Sequence, residues 1–200
     1  MDSAIELALT TLNDDVIAAL LNALDRASPV LISVHAEESI GVNAIPEVMA
    51  GLLSSVLKWE VERSIVQANV VNHTGADGFS RMARQAVFEG SVTPGTNYLI
   101  VDDFVGQGGT IANLRGHILS QGGKVVGATV LTGKPFSAKL AVSRSQLDEL
   151  RRKHGQIEGW WQGRFGFDFE CRTASEARYL INTETSQRIQ ERIEGSSGPT

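Results

Sequence analysis

Two adjacent carboxylates precede a glycine-rich turn in the middle of the chain, within Val101–Thr110. Asp102 and Asp103 follow an apolar run, and the turn after them contains three glycines. Backbone N–H groups in such a turn, with the positive end of a following helix, form a cradle for a phosphate group. Because a carboxylate repels a phosphate unless it binds something else, the acid pair is suited to accept hydrogen bonds from two ribose hydroxyls. The segment therefore predicts a ribose 5-phosphate ligand.

Other motifs of similar appearance do not fit this sequence. A dinucleotide-binding fingerprint requires glycine at position 111, which is Ile111. A Walker-type phosphate loop requires Ser or Thr after Gly133-Lys134, and Pro135 stands there instead. A zinc deaminase site could begin at His35, but it also needs a Cys-x-x-Cys pair, and Cys171 is the only cysteine. These three classes of site are therefore excluded.

Apolar runs that alternate with helical patterns surround the turn. The predicted strands are Val30–Val34, Ser64–Val71, Tyr98–Val101 and Val125–Leu131, and the predicted helices are Glu47–Leu57 and Thr110–Ser120. A polar loop is predicted at His35–Ala44, and Pro46 stands where a helix takes its first-turn proline. Runs that are apolar throughout are typical of parallel strands buried on both faces. The sequence therefore predicts an α/β fold, a three-layer domain with a mostly parallel central sheet. Ligands of such sheets bind at the carboxyl ends of the strands, where the acid pair is expected.

The chain is predicted to be a single domain over residues 1–200, with an α/β core at 29–135. An N-terminal helical extension at 1–28 is expected as one long helix or two shorter ones broken near Asn13. A C-terminal helical appendage is expected at 136–195, and a disordered tail at 196–200, where the residues are mostly small and polar. Helix starts with capping-box or similar spacing occur at Ser3 and Glu6, at Ser145 and Asp148, and at Thr173 and Glu176.

Five aromatic residues are concentrated among glycines between Trp160 and Phe169. Packing in the core, or in the seam between the core and the C-terminal helices, is the slightly favoured interpretation. Stacking over an acceptor base and a surface for a partner are left open as alternatives.

Composition narrows the classes of function. The formal net charge is −5, with acidic and basic residues interspersed, so a nucleic-acid partner is not expected. A single cysteine allows neither an intramolecular disulfide nor a Cys-rich zinc site. No run of about 18 consecutive apolar residues is present, and the N-terminus does not have the pattern of a signal peptide. We therefore expect a cytoplasmic protein without a membrane partner.

The run Leu99–Thr110, with the helix after it, resembles the PRPP-binding motif of type I phosphoribosyltransferases, where PRPP is 5-phosphoribosyl-1-pyrophosphate. It is most similar to the adenine-type pattern, in which Val-Asp-Asp is followed by four residues and then by Gly-Gly-Thr. The resemblance implies a transferase that displaces pyrophosphate from PRPP with a nucleobase-like acceptor, through an oxocarbenium-like state. It also implies a homodimer.

The same resemblance assigns roles to individual residues. Asp102 and Asp103 would hold the 2′ and 3′ hydroxyls of the ribose. The 5′-phosphate would be held by Gly106, Gln107, Gly108, Gly109 and Thr110. Mg²⁺ would be carried by the pyrophosphate and ribose oxygens, with few or no direct protein ligands.

Three positions depart from the family pattern. Gly106 stands where some purine enzymes place an aspartate as base, and Gln107 stands where many members carry threonine. The loop that normally contacts pyrophosphate contains Glu37 and Glu38, although an exposed position is the favoured interpretation of these acids. Two alternatives to a transferase therefore stay open: a non-catalytic PRPP or nucleotide sensor, and an effector that uses the same fold on another acceptor.

The region His73–Val92 corresponds to the flexible hood of the family, and within it the polar-rich segment Phe79–Val92 is expected to be a mobile loop or a hairpin. It contains Arg81 and Arg84, which at their spacing could lie on one side of a helical turn and reach an anionic leaving group. They are the candidate catalytic residues, with a solvated surface as an equally weighted alternative. Lys134 could also approach the ligand from a strand end, but a solvated lysine is the favoured interpretation.

Overall fold

The computed structural model describes residues 12–34, 37–38, 41–42, 44–69 and 77–196. These residues divide into two compact units. The first unit takes its described residues from 12–69, 86–105 and 113–133, and the second from 77–85, 106–112 and 134–196. Each unit has its own cluster of buried apolar side chains.

A sheet of four strands is the centre of the first unit. In chain order its strands are β1 (Val30–Ser33), β4 (Val61–Glu62), β7 (Asn97–Val105) and β8 (Lys124–Gly133). Their order in the sheet is β4-β1-β7-β8, and every neighbouring pair is parallel. Two further pairs are antiparallel: β2 (Glu37–Glu38) with β3 (Gly41–Val42), and β5 (Val66–Gln67) with β6 (Phe88–Glu89).

Helices accompany this sheet as the α/β pattern requires. They are α1 (Asp14–Leu24), α2 (Ile45–Leu57) and α4 (Gly109–Ser120), and α4 is the crossover between the parallel neighbours β7 and β8. Leu31 and Ile32 of β1, like Leu99 and Ile100 of β7, are buried on opposite faces of the sheet. The predicted three-layer α/β fold with a parallel central sheet is confirmed.

Helix α2 shows how the sequence builds one of these layers. It begins with Pro46 in its first turn, as predicted, because the missing N–H of proline costs nothing there. Its buried side chains, Met49 and Leu53 among them, pack in one cluster with Leu31 of β1 and Leu99 of β7. The helix ends at Lys58, whose positive φ of 61° stops further helical hydrogen bonding.

The edge strand of the sheet differs from the prediction. The prediction of a strand at Ser64–Val71 is wrong for the central sheet, since Val61 and Glu62 pair with β1. Within the described part of the predicted run, residues 64–69, the strand is Val66–Gln67, and it pairs with β6 outside the central sheet. A pairing two residues long leaves no periodicity for sequence analysis to detect.

Strand β7 is longer than predicted. It was expected to end at Val101, but its pairing with β8 continues through Asp102 and Phe104 to Val105. The acid pair therefore lies within the carboxyl-terminal half of the strand, and Asp102 is paired with Val130 of β8. Part of the predicted polar loop at 35–44 forms the short β2–β3 ladder.

The second unit is helical. Its helices are α3 (Gly78–Ala83), α5 (Arg144–His154), α6 (Glu158–Phe165), α7 (Ala174–Ile181) and α8 (Ser186–Gly195), with short 3-10 turns at Pro135–Ser137, Gly155–Ile157 and Phe169–Cys171. The predicted capping box of Thr173 and Glu176 is present at the start of α7. Helix α5 is capped by Ser143 with Gln146, two residues before the predicted start.

The aromatic run belongs to the core of this unit. Trp161 and Phe169 are fully buried, and Trp160, Phe165 and Phe167 pack against the same cluster as partly buried side chains. Core packing, which was the favoured interpretation, agrees with this arrangement.

Part of the expected hood is also core. Residues 78–83 form α3 instead of a mobile loop or a hairpin, because Phe79 and Met82 are buried among the apolar side chains of α5, α7 and α8. The phenol ring of Tyr179 also lies directly against Gly78, where a Cβ would come within 2.5 Å of a ring carbon.

Several predictions concern residues outside the described part of the chain. They include the helix start at Ser3, the side chains of Glu37 and Glu38, His35, His73 and the last residues of the tail. Helix α1 begins at Asp14, close to the predicted break. The division into extension, core and appendage stays a prediction. No helix in the described ranges is long and apolar enough to cross a membrane.

Candidate functional site

The acid pair lies near the carboxyl end of β7, in the first unit. Asp102 is 7% exposed, and its Oδ1 accepts a hydrogen bond from the backbone N–H of Asp103 at 2.9 Å. Burial, followed by the negative charge of Asp103, raises the pKa of Asp102 to about 8. Asp103 is half-buried. At neutral pH, Asp102 is therefore mostly protonated, and a ligand that requires its carboxylate must displace a proton.

The glycine turn and the start of α4 belong to the second unit. Gly108 has a φ of +81°, a left-handed conformation that glycine adopts without strain. The first helical hydrogen bond runs from the N–H of Ala112 to the carbonyl of Gly108, at 2.9 Å. The N–H groups of Gly109 and Thr110 therefore stand in the first turn of a 12-residue helix, where the helix dipole favours an anion.

Two hydroxyl groups from later in the chain hold the turn. Ser137 Oγ donates a hydrogen bond to the carbonyl of Gly106, and Thr173 Oγ1 donates one to the carbonyl of Gln107 at 2.6 Å. A carbonyl oxygen repels an anion, so engaging these two oxygens with hydroxyl donors favours presentation of the N–H groups to a ligand. Neither Ser137 nor Thr173 was predicted as a site residue.

Gly109 has a packing role that does not depend on any ligand. A Cβ at this position would lie 2.9 Å from Oε1 of Glu176. That carboxylate is buried, accepts the N–H of Thr173 at 3.0 Å and lies 3.5 Å from Nη1 of Arg172. The close approach of α7 to the turn therefore already requires glycine here.

The two candidate catalytic arginines occupy different surroundings. Arg81, in the last turn of α3, lines a cavity of about 440 Å³ together with Gly106, Gln107 and Lys134. Arg84 is exposed, and its Nε donates to the carbonyl of Ser196 at 3.2 Å. Its backbone is extended, because it is the residue that ends α3. The structure thus brings Arg81, but not Arg84, to the turn.

Substituting Thr173 by Ala tests whether the anchoring of the turn matters for a ligand. Thr173 also caps α7, so the loss of the cap costs about 1 kcal/mol of stability. The hydrogen bond from Thr173 to Gln107 stabilises the conformation of the turn by about 1 kcal/mol. Without it, we expect ribose 5-phosphate to bind about fivefold more weakly. Calorimetry with ribose 5-phosphate measures this change.

Thr185 provides the matched control. It caps α8 through the same kind of bond, from the N–H of Arg188 to its Oγ1 at 3.1 Å. The substitution T185A should cost similar stability and leave the affinity unchanged. Equal affinities of T173A and T185A would contradict the anchoring role.

The chain was compared with family models, with curated proteins and with solved structures. No family model matches the chain. It is 38% identical over 193 residues to "Protein TraN" of Escherichia coli, a match that covers 96% of this chain and 43% of that protein. It is 39% identical over 121 residues to an uncharacterized protein of Haemophilus influenzae, covering 60% of this chain and 27% of that protein. The chain thus spans less than half the length of each of these curated relatives.

Among solved structures, the chain is similar to a purine phosphoribosyltransferase from Pyrococcus horikoshii OT3. The TM-score is 0.41 and the sequences are 18% identical, over 61% of this chain and 74% of that chain.

Proposed function

We propose that the chain binds PRPP and transfers its phosphoribosyl group to a nucleobase-like acceptor, with release of pyrophosphate. The observation that carries the proposal is the segment Val101–Thr110, in which the Val-Asp-Asp and Gly-Gly-Thr parts of the motif fall on a strand end and a helix start. Membership of the type I phosphoribosyltransferases is part of this proposal.

The 5′-phosphate is assigned to the N–H groups of residues 106–110. Support comes from the positive φ of Gly108, from the helix start at Gly109 and from the two hydroxyls that engage the carbonyls of Gly106 and Gln107. A phosphate at a helix N-terminus meets both free N–H donors and the positive end of the dipole. Thr110, in the first turn, offers a hydroxyl in addition.

The ribose hydroxyls are assigned to Asp102 and Asp103, which precede the turn by three to four residues in the chain. Two adjacent carboxyls, one of them buried, form an unfavourable pair that hydrogen bonds from hydroxyls would stabilise. In the reaction, the bond from the anomeric carbon to pyrophosphate breaks and a bond to an acceptor nitrogen forms. The acceptor's proton leaves to pyrophosphate or solvent, since Gly106 offers no side chain as a base.

Charge stabilisation of the leaving pyrophosphate is assigned to Arg81, which lies at the cavity beside Gly106. Arg84 keeps this role as a prediction from the sequence, although it lies elsewhere on the surface of the second unit.

Magnesium would be held mainly by ligand oxygens. Among the described residues, no group of three or more His, Cys, Asp or Glu side chains is placed to hold a metal ion. The acid pair fits an ion that keeps water and phosphate ligands, as Mg²⁺ usually does. When bound, the ion would supply positive charge to the pyrophosphate. A homodimer and a cytoplasmic location stay predictions.

The test follows pyrophosphate release from PRPP and magnesium in the presence of a panel of nucleobases. We expect release with at least one base, and no binding of ribose 5-phosphate after replacement of Asp102 and Asp103 together by Asn. The control replaces another adjacent acid pair, Asp148 by Asn and Glu149 by Gln, which are exposed on α5. If ribose 5-phosphate binds the first double variant as tightly as the parent protein, the motif assignment is wrong.

A sensor that binds PRPP without turnover is the second candidate. Gly106 offers no base, and Glu37 and Glu38 stand in the loop that would face pyrophosphate in the family pattern. Calorimetric binding of PRPP without pyrophosphate release across the whole panel would favour the sensor over the transferase.

A further inference from the structure

The cavity beside the turn lies entirely within the second unit. Its lining comes from α3, from the turn at 106–107, from residues 134 and 136 and from α7. A volume of about 440 Å³ is within the range of small-molecule sites, which is about 300–1,000 Å³. It is much larger than a single phosphate or pyrophosphate group requires.

The charges around the cavity are unequal. Arg81, Lys134 and Arg178 line it, and among the lining residues that the structure describes Asp77 is the one acid. The carboxylate of Asp77 is engaged within the protein, because it accepts the N–H of Ser80 at 2.8 Å and forms an ion pair with Arg192. A ligand therefore meets a surplus of positive charge, which favours an anion.

The cavity also offers a flat surface. The ring of Phe136 is 50% exposed, and the guanidinium carbon of Arg178 lies 4.0 Å from its centroid. Ser175 Oγ accepts a hydrogen bond from Arg178 Nη2 at 3.2 Å, which holds the guanidinium in this position. Lys134 Nζ lies 5.8 Å from the same centroid. An exposed aromatic ring flanked by two cations suits a planar ring that carries a negative group.

We propose that this cavity binds a planar aromatic anion, a heteroaromatic ring with a carboxylate, as the phosphoribosyl acceptor. The inference rests on the proposed function through Gly106 and Gln107, which belong both to the assigned phosphate turn and to the cavity lining. Pyrophosphate alone would use the cations but not the ring of Phe136. A neutral base would use the ring but not the three cations.

Two matched pairs of probes test the proposal without PRPP. They are pyridine-3-carboxylate with pyridine-3-carboxamide, and uracil-6-carboxylate with uracil. Calorimetry at pH 7.5 and physiological salt should give at least tenfold tighter binding of the acid than of its neutral analogue in at least one pair. The inference would be overturned if, in both pairs, the acid and its neutral analogue bind with equal affinity or neither of them binds.

Charge-removing variants place the effect in the cavity. Lys134→Gln and Arg178→Gln should each lower the preference for the acid at least fivefold. Lys139→Gln and Arg152→Gln, at exposed positions outside the cavity lining, should leave it unchanged. R178Q loses the contact between Arg178 and Phe136, and this loss could disturb the second unit. K134Q is expected to fold in any case, because Lys134 is exposed. A preference that survives K134Q and a folded R178Q would overturn the location.

Ribose 5-phosphate binding is measured on the same samples, so that the two proposals fail separately. Loss of the preference for acids with ribose 5-phosphate binding intact overturns the cavity inference alone. Absence of ribose 5-phosphate binding with the preference intact overturns the acceptor role and leaves a site for aromatic anions.

Discussion

Replacing Asp102 by Asn is expected to stabilise the protein at pH 8 and to weaken its binding of ribose 5-phosphate. The carboxyl of Asp102 is buried, and burial, followed by the charge of Asp103, raises its pKa to about 8. Asn has nearly the same shape, and its amide oxygen can accept the same backbone N–H of Asp103. The substitution therefore removes the buried ionisable group while keeping the packing of β7.

The sign of the pH dependence follows from the raised pKa. In the unfolded chain Asp102 ionises near the ordinary value of about 3.9, whereas in the folded protein its pKa is about 8. The stability that the protonated carboxyl contributes is complete below about pH 4 and is lost as the pH rises to about 8. The shift is about four pKa units and one unit corresponds to about 1.4 kcal/mol, so we expect D102N to gain on the order of 5 kcal/mol at pH 8 and nothing near pH 4.

Urea unfolding of both proteins between pH 4 and 9 measures the difference. Asp103→Asn is the control, because it removes the neighbouring charge and leaves burial, the larger cause of the raised pKa, in place. The free energy of unfolding of D103N should therefore still fall with rising pH, by most of the amount seen for the parent protein. Parallel pH profiles of D102N and the parent protein would show that Asp102 is ionised when buried, contrary to this account.

The affinity of the parent protein for ribose 5-phosphate should also depend on the ionisation of Asp102. A ligand that needs the carboxylate binds only the ionised fraction, so the apparent affinity falls with that fraction. With a pKa of about 8, the ionised fraction increases about fivefold from pH 7 to pH 8, and we expect the affinity for ribose 5-phosphate to increase by about that factor. An affinity that is constant over this range would contradict ligand binding through Asp102.

Replacing Trp161 by Ala is expected to cost about 4 kcal/mol in the free energy of unfolding, as for large cavities left by buried aromatic residues. Trp161 is fully buried, with ring centroids 4.6 Å from Phe165 and 5.7 Å from Phe169. It also lies 5.1 Å from the guanidinium carbon of Arg172, a buried cation whose pKa burial lowers. The substitution therefore removes apolar packing and one of the ring faces against a buried charge.

Trp160, its neighbour on α6, is the matched control because it is only partly buried. We expect Trp160→Ala to cost about 1 kcal/mol. Urea unfolding and hydrogen exchange of α5–α8 measure both variants. If the two substitutions cost the same, the aromatic run would not be organised around Trp161 as the structure has it.

Local patterns predicted much of the fold because helix caps, glycine turns and apolar strands act over a few residues. Pro46 at the start of α2 and the capping box of Thr173 are of this kind. The edge strand Val61–Glu62 was missed, since two paired residues carry no period. Residues 79–83 belong to a polar-rich segment that was expected to be a mobile loop or a hairpin, but Phe79 and Met82 anchor them in a core built from distant helices.

The order of strand, acid pair, glycine turn and helix in Val101–Thr110 was determined by the sequence alone, because each of its signals lies within a few residues of the next. Only the tertiary structure decided what surrounds it. The hydroxyl that holds Gln107 comes from Thr173, 66 residues further along the chain. The proton on Asp102 depends on burial, and the cations of the cavity come from three separate segments. Contacts of this kind depend on how distant segments pack, and no local pattern of residues encodes that packing.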